Sequence, residues 1–320
     1  MRTLLALAAF GVLALGAAAC GSDDNSDGGG GGGGSSNLSG SIKIDGSSTV
    51  GPFAQAAAEA FQGQNPNVKV TVGTSGTGGG FEKFCAGETD ISDASRPIKP
   101  DEEAPVCKKE GITYQEIQVA NDGIAVTTNK DLKVDCLTVD QLKKIWNKGS
   151  KVKSLKEVDS KFPGTPLKLY GPGTDSGTFD FFTEQINGEE GVSRTDYQPS
   201  EDDNITVQGI EGSPGGLGYF GVSYFEANKS KLNLVGVDGG SGCVKPDQKT
   251  VQDGSYKPLS RPLFMYPNEK ALKRPEVKAF LQYVIDNYQT IAKDSQIVPM
   301  TSAQAAEGKK ELKTAEAKAG

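Results

Sequence analysis

Histidine is absent from all 320 residues. That absence removes Ser-His-Asp and Cys-His nucleophilic catalysis and His-ligated zinc. Cysteine is scarce, with five residues at 20, 85, 107, 136 and 243, and no two form the C-x-x-C pair that marks a zinc ribbon or a redox site. Clustered cations are also missing. A formal net charge of −7 without any basic run argues against a nucleic-acid binder, which needs Lys and Arg to neutralise phosphates. No Gly-Lys-Ser or Gly-Lys-Thr occurs, so a Walker-type phosphate loop is excluded. Neither a metal nor a cofactor is expected.

The apolar run of residues 4–15 is too short for an ordinary spanning helix. It follows Arg2 and leads through small residues to Cys20, so residues 1–20 read as a secretory signal. The L-G-A-A-A-C ending resembles a bacterial lipoprotein cleavage site, which implies acylation of Cys20. Residues 21–37 are Gly, Ser, Asp and Asn almost throughout, including Gly28–Gly34, a composition that cannot bury enough apolar surface to fold. They read as a tether between a lipid and a domain. The remaining four cysteines form an even set in an exported chain, where disulfides persist. Cys85 and Cys107 bracket one short excursion, which favours Cys85–Cys107 and leaves Cys136–Cys243, although four cysteines allow three connectivities.

From residue 41 onward β-rich runs alternate with helical ones, which indicates an α/β fold. Strands are expected at 42–44, 68–72 and 167–170, and helices near 50–62, 79–86 and 179–186. Thr138 to Gln141 fits a capping box opening a helix to about residue 148. After Arg274-Pro275, apolar residues at 277, 280, 281, 284, 285 and 288 keep helical spacing.

Three strand-to-helix turns are rich in Gly, Ser and Thr: D-G-S-S-T-V (45–50), G-T-S-G-T-G-G-G (73–80) and G-P-G-T-D-S-G-T (171–178). Helix N-termini expose unpaired N–H groups and partial positive charge, hydroxyls add donors, and glycine admits close approach. Any one such turn is ordinarily structural. Three together point to an anion site.

At these residues the chain resembles the phosphate-binding subunits of Pst-type ABC transporters, within the two-domain periplasmic binding proteins. The resemblance spans residues 41–300. It is carried by S-G-T-G-G-G-F-E-K-F-C-A-G-E-T-D-I-S-D-A-S-R-P-I (75–98), Y-G-P-G-T-D-S-G-T-F-D-F-F-T-E (170–184) and D-G-S-S-T-V, with R-T-D-Y-Q-P-S-E-D-D-N (194–204) similar to the lipoprotein branch. It implies a two-lobed, type II-like α/β fold of two mixed-sheet domains joined by two crossing strands. Lobe 1 would comprise 38–121 plus 267–320 and lobe 2 would comprise 123–262, with crossings near 123–127 and 263–266.

The resemblance further implies that Ser48, Thr49 and the Val50 amide, Ser75, and Ser176, Gly177 and Thr178 hold phosphate oxygens. Two positions depart from the better-known branch: Ser95, itself expected at the phosphate site, stands for an aspartate and Pro172 for an arginine. Arg96 is the expected replacement for that arginine, because a guanidinium gives two parallel bonds to a tetrahedral anion; Arg194 is the second candidate. A carboxylate acceptor for the proton that phosphate carries and sulfate lacks is expected at Asp175, with Asp93 as the alternative. The implied function is that of a lipid-anchored extracytoplasmic monomer that captures inorganic phosphate and passes it to the permease of an ABC importer. The rivals are a carrier of another oxyanion such as sulfate, or a secreted phosphatase using Asp175 or Ser176 as nucleophile.

Overall fold

A computed structural model describes residues 38–319. The expected signal and tether, with Cys20, lie outside the described residues. Among the described residues eleven strands follow in chain order: β1 Gly40–Gly46, β2 Val68–Gly73, β3 Ile91–Ala94, β4 Ile117–Asn129, β5 Cys136–Thr138, β6 Lys168–Pro172, β7 Gln198–Ser200, β8 Gly216–Gly221, β9 Leu232–Asp238, β10 Cys243–Val244 and β11 Ser260–Pro267. Their pairing order is β2-β1-β3-β11-β4-β8-β6-β7, with β9 branching from β4 and carrying β5 and β10. β1 runs parallel to β2 and β3, whereas β11 is antiparallel to both β3 and β4. The sheet is mixed, and the fold is a two-lobed α/β arrangement.

The strand β4 explains the two lobes. Its first half pairs with β11 and its second half with β8 and β9. Ala120 belongs to a core with Ile42, Phe53, Phe61 and Phe280, while Ile124 belongs to a second core with Trp146, Phe182 and Tyr219. Entering β11, the same exchange occurs between Leu259 and Leu263. The chain thus passes between lobes at 121–123 and 260–262, just ahead of the expected 123–127 and 263–266. The later residues already pair within one sheet or the other: Val126 with Val235, and Tyr266 with Ser92.

Helix α1 (Gly51–Gln64) begins at a Pro in its first turn and buries Phe53, Ala54, Ala57, Ala58 and Phe61, one face at helical spacing. Helix α2 (Gly76–Cys85) starts three residues before the expected 79, so the glycine run is its first turn rather than a loop. A Cβ at Gly80 would lie 2.5 Å from Gly46 Cα, so the glycines let α2 sit directly on the end of β1. Helix α3 (Glu103–Lys109) is joined to α2 through Cys85–Cys107, and a second disulfide links Cys136 to Cys243. Helix α4 (Val139–Trp146) opens with the Thr138–Gln141 capping box. It delivers Trp146 to the lobe 2 core, where Phe182 stacks on Tyr219 with centroids 3.7 Å apart. Helix α5 (Gly177–Phe182) follows β6, and α6 (Asp203–Glu211) is capped by Asp202.

Candidate oxyanion site in the interlobe cleft

The β1–α1, β2–α2 and β6–α5 turns meet at a cavity of about 260 Å3. Its wall includes Ser48, Thr49, Ser75, Ser95, Arg96 and Gly177, six of the residues expected from the sequence. Ser47, Thr77, Asp180, Phe181, Glu184, Glu190 and Arg261 line it as well.

Each hydroxyl is placed by its own turn. Ser47 N–H donates to Asp93 O at 3.0 Å, and Ser47 Oγ accepts from the Thr49 and Val50 amides at 3.2 and 3.4 Å. Val50 is fully buried and is not on the wall, because its amide already caps back onto Ser47. Ser75 caps α2 in position, with its hydroxyl and its N–H both on Asp45 Oδ1. Burial pushes Asp45 up, but its bonds from Lys83 and Ser75 outweigh that and hold the carboxyl below its usual range. Ser95 is tied to Thr77, hydroxyl to hydroxyl at 3.0 Å, which joins the end of β3 to the first turn of α2.

The two lobes touch at Gly177. A Cβ there would lie 2.1 Å from Thr49 Oγ1, 2.7 Å from Thr49 N and 2.8 Å from Ser48 Oγ. Ser176, by contrast, is the N-cap of α5, and its hydroxyl accepts from Thr178 N at 3.2 Å. Neither Ser176 nor Thr178 is on the cavity wall, and Asp175, one residue further back, is exposed.

Arg96 reaches the cavity but is held by its own lobe: Nη1 and Nη2 donate to the two oxygens of Glu103, each at 2.8 Å. That bidentate bond is the main reason its guanidinium is held above its usual range. Arg194 lies elsewhere. Its Nε and Nη2 bond Asp196 at 2.6 and 2.9 Å, and Nη1 donates to the Ile145 and Val152 carbonyls at 2.9 and 3.2 Å. It pins the chain after α4 and borders a separate cavity on lobe 2.

The sequence reading missed Arg261. It stands on β11, opposite Asp122 on β4, and its Nη2 donates to Thr49 Oγ1 at 2.8 Å and to Gly177 O at 3.1 Å. Its guanidinium carbon lies 3.9 Å from the Phe181 ring centroid. No Gly-Ser-Thr signature marks it.

Carboxylates fall differently from expectation. Asp93 is fully buried within β3, and neither of its oxygens has a hydrogen-bond partner among the described residues. Burial, with Asp45 nearby, pushes its carboxyl well above the usual range. Asp93 is not on the cavity wall. Asp180 does line the cavity; burial first, then Glu190, lifts its carboxyl to about 6 against the pull of Arg261. Among the described residues no group of three or more acidic or cysteine side chains is arranged to hold a metal ion.

Another raised carboxyl lies at the start of α6, where burial, then Asp202, Glu201 and Asp122, lift Asp203 to about 7. Its folded value exceeds the ordinary 3.8, so folding penalises the ionised form; the penalty is absent below about pH 4 and complete above about pH 7. Asp203→Asn is therefore expected to raise stability by about 1–2 kcal/mol at pH 8, after allowing for screening, and to do little at pH 4. Urea unfolding at both pH values checks this; an equal gain at both would assign the effect to something other than ionisation.

A family model described as a PBP superfamily domain matches residues 31–287. Protein SphX of Synechococcus elongatus is 46% identical over 262 residues, covering 81% of this chain and 77% of the relative. Phosphate-binding protein PstS of Staphylococcus saprophyticus is 44% identical over 264 residues, covering 82% and 81%. The crystal structure of a possible phosphate binding protein from Planctomyces limnophilus matches with a TM-score of 0.81 and 46% identity, over 87% of this chain and 99% of that one. The chain belongs to the PBP superfamily and, within it, to the family of PstS-like phosphate-binding proteins.

Proposed function

We propose that the protein captures inorganic phosphate in the cleft between its lobes and delivers it to an ABC-type importer. The observation that carries this reading is the meeting of turns from both lobes on one small cavity lined by hydroxyls, helix N-termini and Arg261. Such a wall offers many donors to a tetrahedral anion, which supports the reading of the protein as a carrier. Binding to both lobes favours the closed arrangement. The L-G-A-A-A-C ending supports lipid attachment at Cys20, which would hold the protein outside the cytoplasm, at the membrane, beside its permease partner. It is proposed to act as a monomer, with residues 38–120 and 263–319 in lobe 1 and 124–259 in lobe 2, joined at 121–123 and 260–262.

Selectivity is assigned to Asp180 in place of Asp175 and Asp93. Ionised above about pH 6, it can accept the proton that phosphate still carries, whereas sulfate offers none and is repelled. Calorimetric titration of ligand-stripped protein with phosphate, arsenate and sulfate at pH 7.5 is expected to show binding in that order, with sulfate far weaker. Asp180→Asn is expected to reduce the phosphate-over-sulfate preference by about 10- to 100-fold, the worth of one charge-assisted bond. An unchanged preference would remove Asp180 from the account. Sulfate binding as tight as phosphate, or turnover of a phosphomonoester, would overturn the phosphate-carrier reading itself.

A further inference from the structure

We infer that Arg261 is the cationic ligand of the bound oxyanion, that its place on the crossing strands couples capture to lobe closure, and that Asp122 is its positioning residue. This rests on the oxyanion-binding reading of the cleft. Arg261 and Asp122 are register partners on β11 and β4, within the stretches where the chain passes between lobes. Nε donates to Asp122 Oδ2 at 3.2 Å, and the two side chains are only 12% and 10% exposed. The cation therefore belongs to the hinge and to neither lobe alone.

The remaining nitrogens point the same way. Nη2 bridges the Thr49 hydroxyl of lobe 1 and the Gly177 carbonyl of lobe 2. Nη1 makes no hydrogen bond among the described residues, and Arg261 lines the cavity. Arg96, the other cavity arginine, has both Nη groups on Glu103, which neutralises it within its own lobe. Arg261 has one single-point contact with its carboxylate and keeps a donor for a second anion.

Rotation about the crossing strands would leave Arg261 with Asp122 while separating Thr49 from Gly177. Only the closed arrangement puts the guanidinium between both turns. An anion that bonds Arg261 together with those turns therefore binds the closed state more tightly and shifts the population toward it. The planar fork, held by Asp122 at one edge and by the Phe181 ring on its face, sets the direction of the free donors. Lysine has the charge but not the fork, so Arg261→Lys is not a conservative change.

The test measures phosphate affinity by calorimetry and compaction by small-angle scattering on ligand-stripped wild type, Arg261→Lys, Arg261→Gln, Asp122→Asn and the Asp122→Asn/Arg261→Lys double variant. Thermal melts without ligand check folding. Arg261→Lys is expected to lose about 30-fold in affinity, and Arg261→Gln more, as loss of charge-assisted bonds requires. Both should blunt compaction on phosphate addition. Asp122→Asn is expected to lose about 5-fold alone and almost nothing further in the Arg261→Lys background, since it acts through Arg261. A purely structural Asp122 would cost the same in both backgrounds, and that result removes its positioning role. If either folded Arg261 variant binds and compacts within threefold of wild type, Arg261 is not the ligand, although phosphate capture stands. If wild type binds no phosphate, the underlying reading fails first.

Discussion

Gly177→Ala is expected to lower phosphate affinity by about 100-fold or more while both lobes remain folded, because the closed state it obstructs is the one that binds. The three atoms nearest a Cβ at this position all belong to the opposite lobe, at 2.1, 2.7 and 2.8 Å. One is a backbone nitrogen, which cannot rotate away. Within lobe 2 the change is mild, since Gly177 opens α5 and alanine is the better helix former. The clash therefore exists only when the lobes meet, and the free energy of overlap is subtracted from closure. Calorimetry should show the loss, scattering should show a particle that no longer compacts with phosphate, and the melting temperature without phosphate should move by only a few degrees. Binding within threefold of wild type would mean that capture does not need the lobes this close.

The contrast between Gly177 and its neighbours shows how far the sequence could be read. Strand-to-helix turns follow local rules, so D-G-S-S-T-V and S-G-T each announce a helix start, and Ser48, Thr49, Ser75, Ser95, Arg96 and Gly177 do reach one cavity. What local rules leave open is which residue of a turn caps the helix and which faces the cleft. In S-G-T the cap is Ser176, so its hydroxyl turns inward to Thr178 and the glycine is left at the contact. The same capping engages the Val50 amide through Ser47. Both are effects of one residue of phase.

Arg261 was illegible for a different reason. It sits in S-R-P-L-F-M-Y, at the start of a strand and away from the Gly-Ser-Thr turns, and it reaches the site only because β11 pairs with β4 across a sequence separation of 139. A register between distant strands leaves no local mark. Arg194, the second candidate, bonds Asp196 and two carbonyls away from this cavity, a placement that likewise depends on distant contacts. The break after Asp286 was likewise not visible in the apolar spacing. Asn287 donates to the Tyr283 carbonyl there, and Tyr288 begins a separate helix.

Cys136→Ser/Cys243→Ser is expected to lower stability by about 4–5 kcal/mol, the largest effect of any change considered, because the bridge closes a long loop. The linked residues are 107 apart, against 22 for Cys85–Cys107, for which loop entropy alone gives about 3 kcal/mol. The long bridge is also the cleaner test. Cys243 is exposed and Cys136 half-buried, so serine there disturbs little packing, whereas Cys85 and Cys107 are buried in a cluster with Phe81, Phe84 and Tyr266. Locally the bridge ties β5 and β10 to the same neighbour: Cys136 pairs with Gly236 and Cys243 with Asp238, both on β9. With three and two residues, those flanking strands have few ladder bonds of their own. Their loss should therefore loosen lobe 2 while leaving the cleft turns of lobe 1 intact. For a domain whose total stability is about 5–15 kcal/mol, a loss of this size moves the urea midpoint by a third or more. Equilibrium unfolding of the oxidised wild type and the double variant measures it directly. A loss below about 1 kcal/mol would mean that the unfolded chain between residues 136 and 243 is already compact without its disulfide, so that the bridge removes little freedom.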